Sequence, residues 1–224
     1  MRRSALALLL VSLPLGTAAA QLPDATTTVA VPAPRFLQWD AGFSWPQFQS
    51  ASAGGVERLR GLVIGGRLRF TLLPVSVDLA YSQGRLTAYT QGTASRDIVE
   101  GSVLASARPL PWLALKVGPV LRAFPAPGGT ERWVMWQGRA HADAPLLEGE
   151  WLAYGELWVA LASSVNVNPG AGGARGAEAG LTVQLPQSPL WARLAYLVDQ
   201  SSFKSGARTE SLQTVVLTVG IVAR

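Results

Sequence analysis

Cysteine is absent from the 224-residue chain, lysine occurs twice and histidine once. Each shortage excludes something. Without cysteine there is no disulfide framework, no thiolate zinc site, no cysteine nucleophile and no lipid-acceptor cysteine behind a leader. A single histidine makes a transition-metal site improbable, and neither metal nor cofactor is expected. No stretch beyond residue 20 approaches the roughly 18 to 20 uninterrupted apolar residues that a transmembrane helix needs. Yet hydrophobic residues make up 49% of the chain against 15% charged, and mean hydropathy is +0.24. So much apolar surface without a spanning helix has to be spent on strands. The net charge of +5 rests on seventeen arginines scattered singly, with no basic stripe of the kind that tracks nucleic acid.

What is present begins with a leader. Arg2 and Arg3 precede an apolar core from Ala5 to Leu15, and Ala18-Ala19-Ala20 offers an A-x-A cleavage site before Gln21, so residues 1–20 are expected to be removed as a secretory signal peptide. Residues 21–35, rich in Thr, Ala and Pro, show no sustained alternation and read as a flexible periplasmic linker. The rest, residues 36–224, is one domain.

Arg108 to Phe124 contains the repeating unit of that domain. After Pro109 and Pro111, Leu113, Leu115, Val117 and Leu121 fall on one face and Ala114, Lys116, Gly118, Val120 and Arg122 on the other. A period of two means a strand. A soluble sheet would show water a face rich in Lys and Glu; here the second face is small residues with an occasional charge, as inside a barrel whose outside meets lipid. The first strand repeats the rule, with Leu37, Trp39, Ala41, Phe43 and Trp45 opposed to Gln38, Asp40, Gly42 and Ser44. Nine more strands are predicted over 57–72, 75–86, 96–107, 112–124, 131–144, 150–165, 175–185, 190–200 and 210–222. Short, mostly Pro-containing turns alternate with longer Gly/Ser/Thr-rich loops (46–56, 87–95, 125–130, 166–174, 201–209), as periplasmic turns and external loops do in such barrels. The expected fold is all-β: a single antiparallel up-and-down transmembrane β-barrel of about ten strands, or eight or twelve if one hairpin is read differently.

Aromatics near strand ends, Trp45, Tyr81 and Trp136 toward the outer rim and Trp39, Trp112, Trp151 and Trp191 toward the inner, suit interfacial belts. Strict alternation puts Trp112 and Trp191 in phase with the lumen, where they would plug the periplasmic mouth. On leader, alternation and turns, residues 36–222 resemble the broad class of small Gram-negative outer-membrane β-barrel proteins. The resemblance is one of pattern and carries no motif of a particular family. It implies outer-membrane localisation, with outer-membrane lipid, lipopolysaccharide and the barrel-assembly machinery as partners. It also implies a terminal aromatic, where this chain ends Gly220-Ile221-Val222-Ala223-Arg224.

By strand phase the lumen should hold Asp40, Asp78, Glu100, Asp143, Glu156, Glu178 and Asp199 against Arg67, Arg69, Lys116, Arg122, Arg139 and Arg193. An ion-selective pore needs a ring of one sign. A nearly balanced set points to a salt-bridged interior, because charges in a narrow lumen are costly unless partnered. Glu156, set between Tyr154 and Trp158, is the acid most in need of a partner. Arg139, His141 and Asp143 form a column, but spacing of two along a strand separates residues by about 7 Å, too far for His141 to touch Asp143 without a bulge. The Gly-rich stretch from Asn166 to Gly176 lies between strands and is not a phosphate loop. The leading expectation is a barrel with a mainly structural lumen, at most a narrow passive pore. Its rivals are an outer-membrane enzyme of the lipid hydrolase or protease type, a surface-binding module acting through its loops, and a soluble periplasmic sandwich.

Overall fold

The computed structural model describes residues 37–72, 74–89, 92–146, 151–185 and 187–222; the expected leader (1–20) and linker (21–35) lie outside them. Ten strands follow in chain order: β1 (Leu37–Ser52), β2 (Gly55–Leu72), β3 (Val75–Ala88), β4 (Arg96–Leu110), β5 (Leu113–Ala126), β6 (Gly129–Leu146), β7 (Trp151–Val165), β8 (Ala171–Gln184), β9 (Leu190–Phe203) and β10 (Arg208–Val222). Each pairs antiparallel with the next. β10 returns to pair with β1 from Ser52↔Arg208 to Gln38↔Val222, and the sheet closes. One end of the barrel carries the β1–β2, β3–β4, β5–β6, β7–β8 and β9–β10 connections and is called the hairpin end. The other, where β1 starts and β10 finishes, is the terminus end.

Strand number and order match the sequence expectation, but the strands at the hairpin end run further. β1 continues to Ser52 and β2 starts at Gly55, so the loop expected over 46–56 is a two-residue turn. The loop expected over 125–130 likewise shrinks to a turn at 127–128, and β8 begins at Ala171 inside the stretch read as a loop over 166–174. Gly, Ser and Pro at these positions suggest turns when read by composition. In the structure they are strand residues in a backbone ladder, to which Pro46 and Pro125, lacking an N–H, contribute a carbonyl but no donor.

Outward positions are apolar. Leu62, Ile64, Leu115, Leu157, Leu161, Leu194 and Val219 are each at least half exposed. In water such a girdle would be unfavourable by about 25 cal/mol for every Å²; in hydrocarbon it is the matched surface, and the closed ladder leaves no backbone edge for lipid to meet. Trp39, Trp45, Tyr81, Trp136 and Trp151 lie on this outer face. Trp112 is not in the lumen: it is 52% exposed in the turn between β4 and β5. Trp191 alone of that pair turns inward and is buried. Leu115→Arg should therefore lower the stability of the barrel in lipid vesicles by about 2 to 4 kcal/mol if that face meets the bilayer midplane. Urea unfolding of vesicle-inserted protein measures it, and an unchanged midpoint would mean that this face is not in hydrocarbon.

The lumen has two halves. At the hairpin end, side chains from the late parts of β1, β3, β5 and β9 meet those from the early parts of β2, β4, β6 and β10. Phe48, Leu59, Leu86, Ile98, Phe124, Trp133, Met135, Phe203 and Leu212 form one apolar core with Val120 and Trp158. Phe48 packs on Phe124 at 5.1 Å, and Trp133 meets Phe203 edge-on at 5.0 Å. Two arginines lid this core: Arg96 over Phe48 at 5.2 Å, paired to Glu57 at 2.6 Å, and Arg208 over Phe203 at 3.9 Å, paired to Glu131 and Glu210. Strand phase places a set of charges in the lumen and gives no sign of an apolar core. Phe48 and Phe203 sit on extensions that read as loops, and the rest of this core falls within the expected strands, with Leu59, Leu86, Ile98 and Trp133 at or near their ends.

Candidate functional site: the charged lumen

Below the apolar core, toward the terminus end, lies a cavity of about 380 Å³. Its wall includes the carboxylates Asp40, Asp78, Glu100, Asp143, Glu156, Glu178 and Asp199, the cations Arg67, Arg69, Lys116, Arg122, Arg139 and Arg193, and His141, the same fourteen side chains that strand phase points inward. Arg108 joins them from the end of β4, on the same phase as Glu100, Ser102 and Leu104, and meets Asp143 at 3.1 Å. Sequence reasoning missed it because Pro109 and Pro111 made residues 108–111 read as a turn.

The charges pair across neighbouring and opposite strands. Arg67 meets Asp40 at 3.0 Å and Arg69 meets Asp78 at 2.5 Å, each between strands adjacent in the wall. Arg122 bridges the lumen, with Nε 2.5 Å from Glu100 and an Nη 2.6 Å from Asp199, which also accepts the Trp158 indole N–H at 2.9 Å. Glu156 is the hub: Lys116 Nζ donates to it at 2.5 Å and Arg139 at 3.0 Å, and His141 Nδ1 lies 3.2 Å away. Burying these ions is favourable only because they meet in sets with several hydrogen bonds each. The most exposed of these side chains is Arg108 at the terminus end, 48% against 6% for Lys116 and 8% for Arg122, and it marks the mouth of the cavity.

His141 corrects one sequence expectation. Its Nε2 stands 2.9 Å from Asp143 Oδ1, two residues along the same strand. The 7 Å repeat separates backbone positions, while side chains lean along the strand, and an imidazole with a carboxylate spans the difference. With one ring nitrogen on Asp143, the other on Glu156 and the ring stacked on Tyr154 at 5.2 Å, neither nitrogen faces a hydroxyl that it could activate.

One cation and one carboxylate stand apart. Among the described residues, six of the seven lining Arg and Lys side chains meet a carboxylate and six of the seven carboxylates meet an Arg or Lys. The exceptions are Arg193, which donates through Nε to Thr182 Oγ1 at 3.1 Å, and Glu178, which accepts the Tyr154 hydroxyl. Tyr154 sits between them, its ring 4.8 Å from the Arg193 guanidinium carbon, and Trp191 packs against the same guanidinium at 5.0 Å. Both aromatic rings rest on glycine: a Cβ at Gly220 would come within 2.3 Å of the Trp191 ring, and one at Gly180 within 2.8 Å of Tyr154.

No family model matches the chain, and no curated protein does. Solved structures do. The translocator domain of the autotransporter NalP from Neisseria meningitidis aligns over 86% of this chain and 90% of its own, with a TM-score of 0.55 at 11% identity. The outer-membrane protease OmpT of Escherichia coli aligns over 84% and 96%, with a TM-score of 0.45 at 9% identity. Neisserial surface protein A aligns over 83% and 97%, with a TM-score of 0.38 at 12% identity. At 11% identity the likeness to the translocator domain is one of fold. Together with the closed ladder and apolar girdle it defines the fold class: an antiparallel up-and-down β-barrel of the outer-membrane type. Within that class it is a ten-strand barrel with an apolar core at one end of its lumen and a charged cavity at the other.

Proposed function

We propose that this barrel is sealed: a small outer-membrane protein whose lumen holds its wall together and conducts poorly or not at all. The observation that carries this is the apolar core at the hairpin end, where Leu59 and Leu86 are 0% exposed and Trp133 and Met135 1%. Water and ions crossing there would have to enter a close-packed apolar region. Below it, nearly balanced charge gives neither cation nor anion a one-signed ring to follow. Outer-membrane lipid and lipopolysaccharide contact the girdle in this reading, and the assembly machinery handles the chain during insertion. The enzyme alternative is weakened by a histidine whose two nitrogens are both held by carboxylates. The loop-binding alternative is weakened by turns of two residues at 53–54 and 127–128. Purified protein in planar bilayers should give no stepwise conductance under salt and voltage that open a general porin. Large regular steps from the wild-type chain would overturn the proposal.

A further inference from the structure

Among the described residues, Arg193 and Glu178 are the two lining charges that make no ion-pair contact with an Arg, Lys or carboxylate, and they face the same cavity. Arg193 spends Nε on Thr182 and has its guanidinium covered by Tyr154 and Trp191, which leaves the in-plane Nη donors for a partner arriving from the cavity. That is the approach a carboxylate makes to arginine. Glu178 has one oxygen on Tyr154, and its carboxylate can accept more hydrogen bonds than that one hydroxyl supplies. The charges are separated by a single tyrosine, whose ring underlies one and whose hydroxyl holds the other. A lone anion on Arg193 would leave Glu178 unanswered and add a negative charge to a set in which Arg, Lys and carboxylates balance. A lone cation on Glu178 would do the reverse. A ligand carrying both charges a short distance apart satisfies both and leaves the balance unchanged.

We infer that the cavity binds a small zwitterion of the α-amino acid class, with its carboxylate on Arg193 and its ammonium on Glu178, entering from the terminus end. A volume of about 380 Å³ lies within the usual range of small-molecule sites and has room for an amino acid with some water. The glycines beneath Tyr154 and Trp191, Gly180 and Gly220, keep both rings seated against Arg193. This goes beyond the sealed-barrel proposal and is independent of it, since a conducting barrel could hold the same ligand and a sealed one could lack it.

The test is equilibrium dialysis of the full mature chain, refolded in detergent, against labelled neutral amino acids from glycine to phenylalanine. At least one should bind saturably. For the tightest of them, the matching carboxylic acid without its amine and the matching amine without its carboxylate should each bind at least tenfold more weakly. Arg193→Gln and Glu178→Gln should each weaken the amino acid at least tenfold, in variants that still migrate as folded barrels in unheated gels, while Arg175→Gln, outside the cavity, leaves it within twofold. The analogue series uses only wild-type protein, so it decides the question even if a variant fails to fold. Binding of no amino acid would overturn the inference. So would equal binding of the carboxylic acid and its amino acid, which would mean an anion site.

Discussion

Glu156→Ala should be the most damaging single change in the charged half of the lumen. Its carboxylate meets Lys116, Arg139 and His141, and the Lys116 and Glu156 side chains are only 6% and 7% exposed. Removing it leaves two certain cations facing each other with no counter-ion between them. Breaking a buried pair from one side typically costs about 3 to 5 kcal/mol, because the partner left behind keeps its desolvation penalty. Glu156→Gln, which keeps shape and some acceptor capacity, should fall between alanine and wild type. Urea unfolding followed by tryptophan fluorescence reads both. An alanine variant within about 0.5 kcal/mol of wild type would mean that water already screens the cluster.

The second large effect belongs to the other half. Trp133 is 1% exposed, packs edge-on against Phe203 and donates its indole N–H to Glu131 at 2.9 Å. Trp133→Ala should cost about 3 to 5 kcal/mol in lost transfer energy and cavity formation. It should also do what no lumen charge mutation does: leave a gap beside Met135 and Phe124 in the layer that seals the barrel. Brief, irregular conductance events in planar bilayers are expected from this variant and not from Glu156→Ala. Identical traces from Trp133→Ala and wild type, in protein shown to be destabilised, would place the barrier elsewhere in the lumen.

How much of this could be read in the chain differs between the two halves. In β5, Lys116 and Arg122 stand out against Leu115, Val117 and Leu121, so period two separates inside from outside without help. Near the hairpin end that contrast vanishes. In β1 the inward residues Pro46, Phe48 and Ser50 are no more polar than the outward Gln47, Gln49 and Ala51, and a strand whose inner face packs an apolar core no longer alternates in hydropathy. Arg208 lies on a strand extension of this kind, and Glu57, Arg96, Glu131 and Glu210 are the first residues of the expected strands, where alternation has only begun. Within the site, phase indicates which side chains share the lumen, but it does not indicate which of seven carboxylates each cation chooses. That choice depends on lumen width and on side chains such as Arg122 that reach across to the far wall.

The seam between β1 and β10 differs from every other ladder in the barrel. Nine ladders join strands that follow one another, so each can zip as soon as its turn is made. The tenth joins Gln38 to Val222 and Ser52 to Arg208, strands at opposite ends of the domain. Such long-range closure is entropically slow. Until it happens, the first strand must wait with an open hydrogen-bonding edge, the kind of edge that recruits other chains. The hazardous interval in the life of this protein is therefore its transit, and the length of that interval is set by how long its two ends need to find each other.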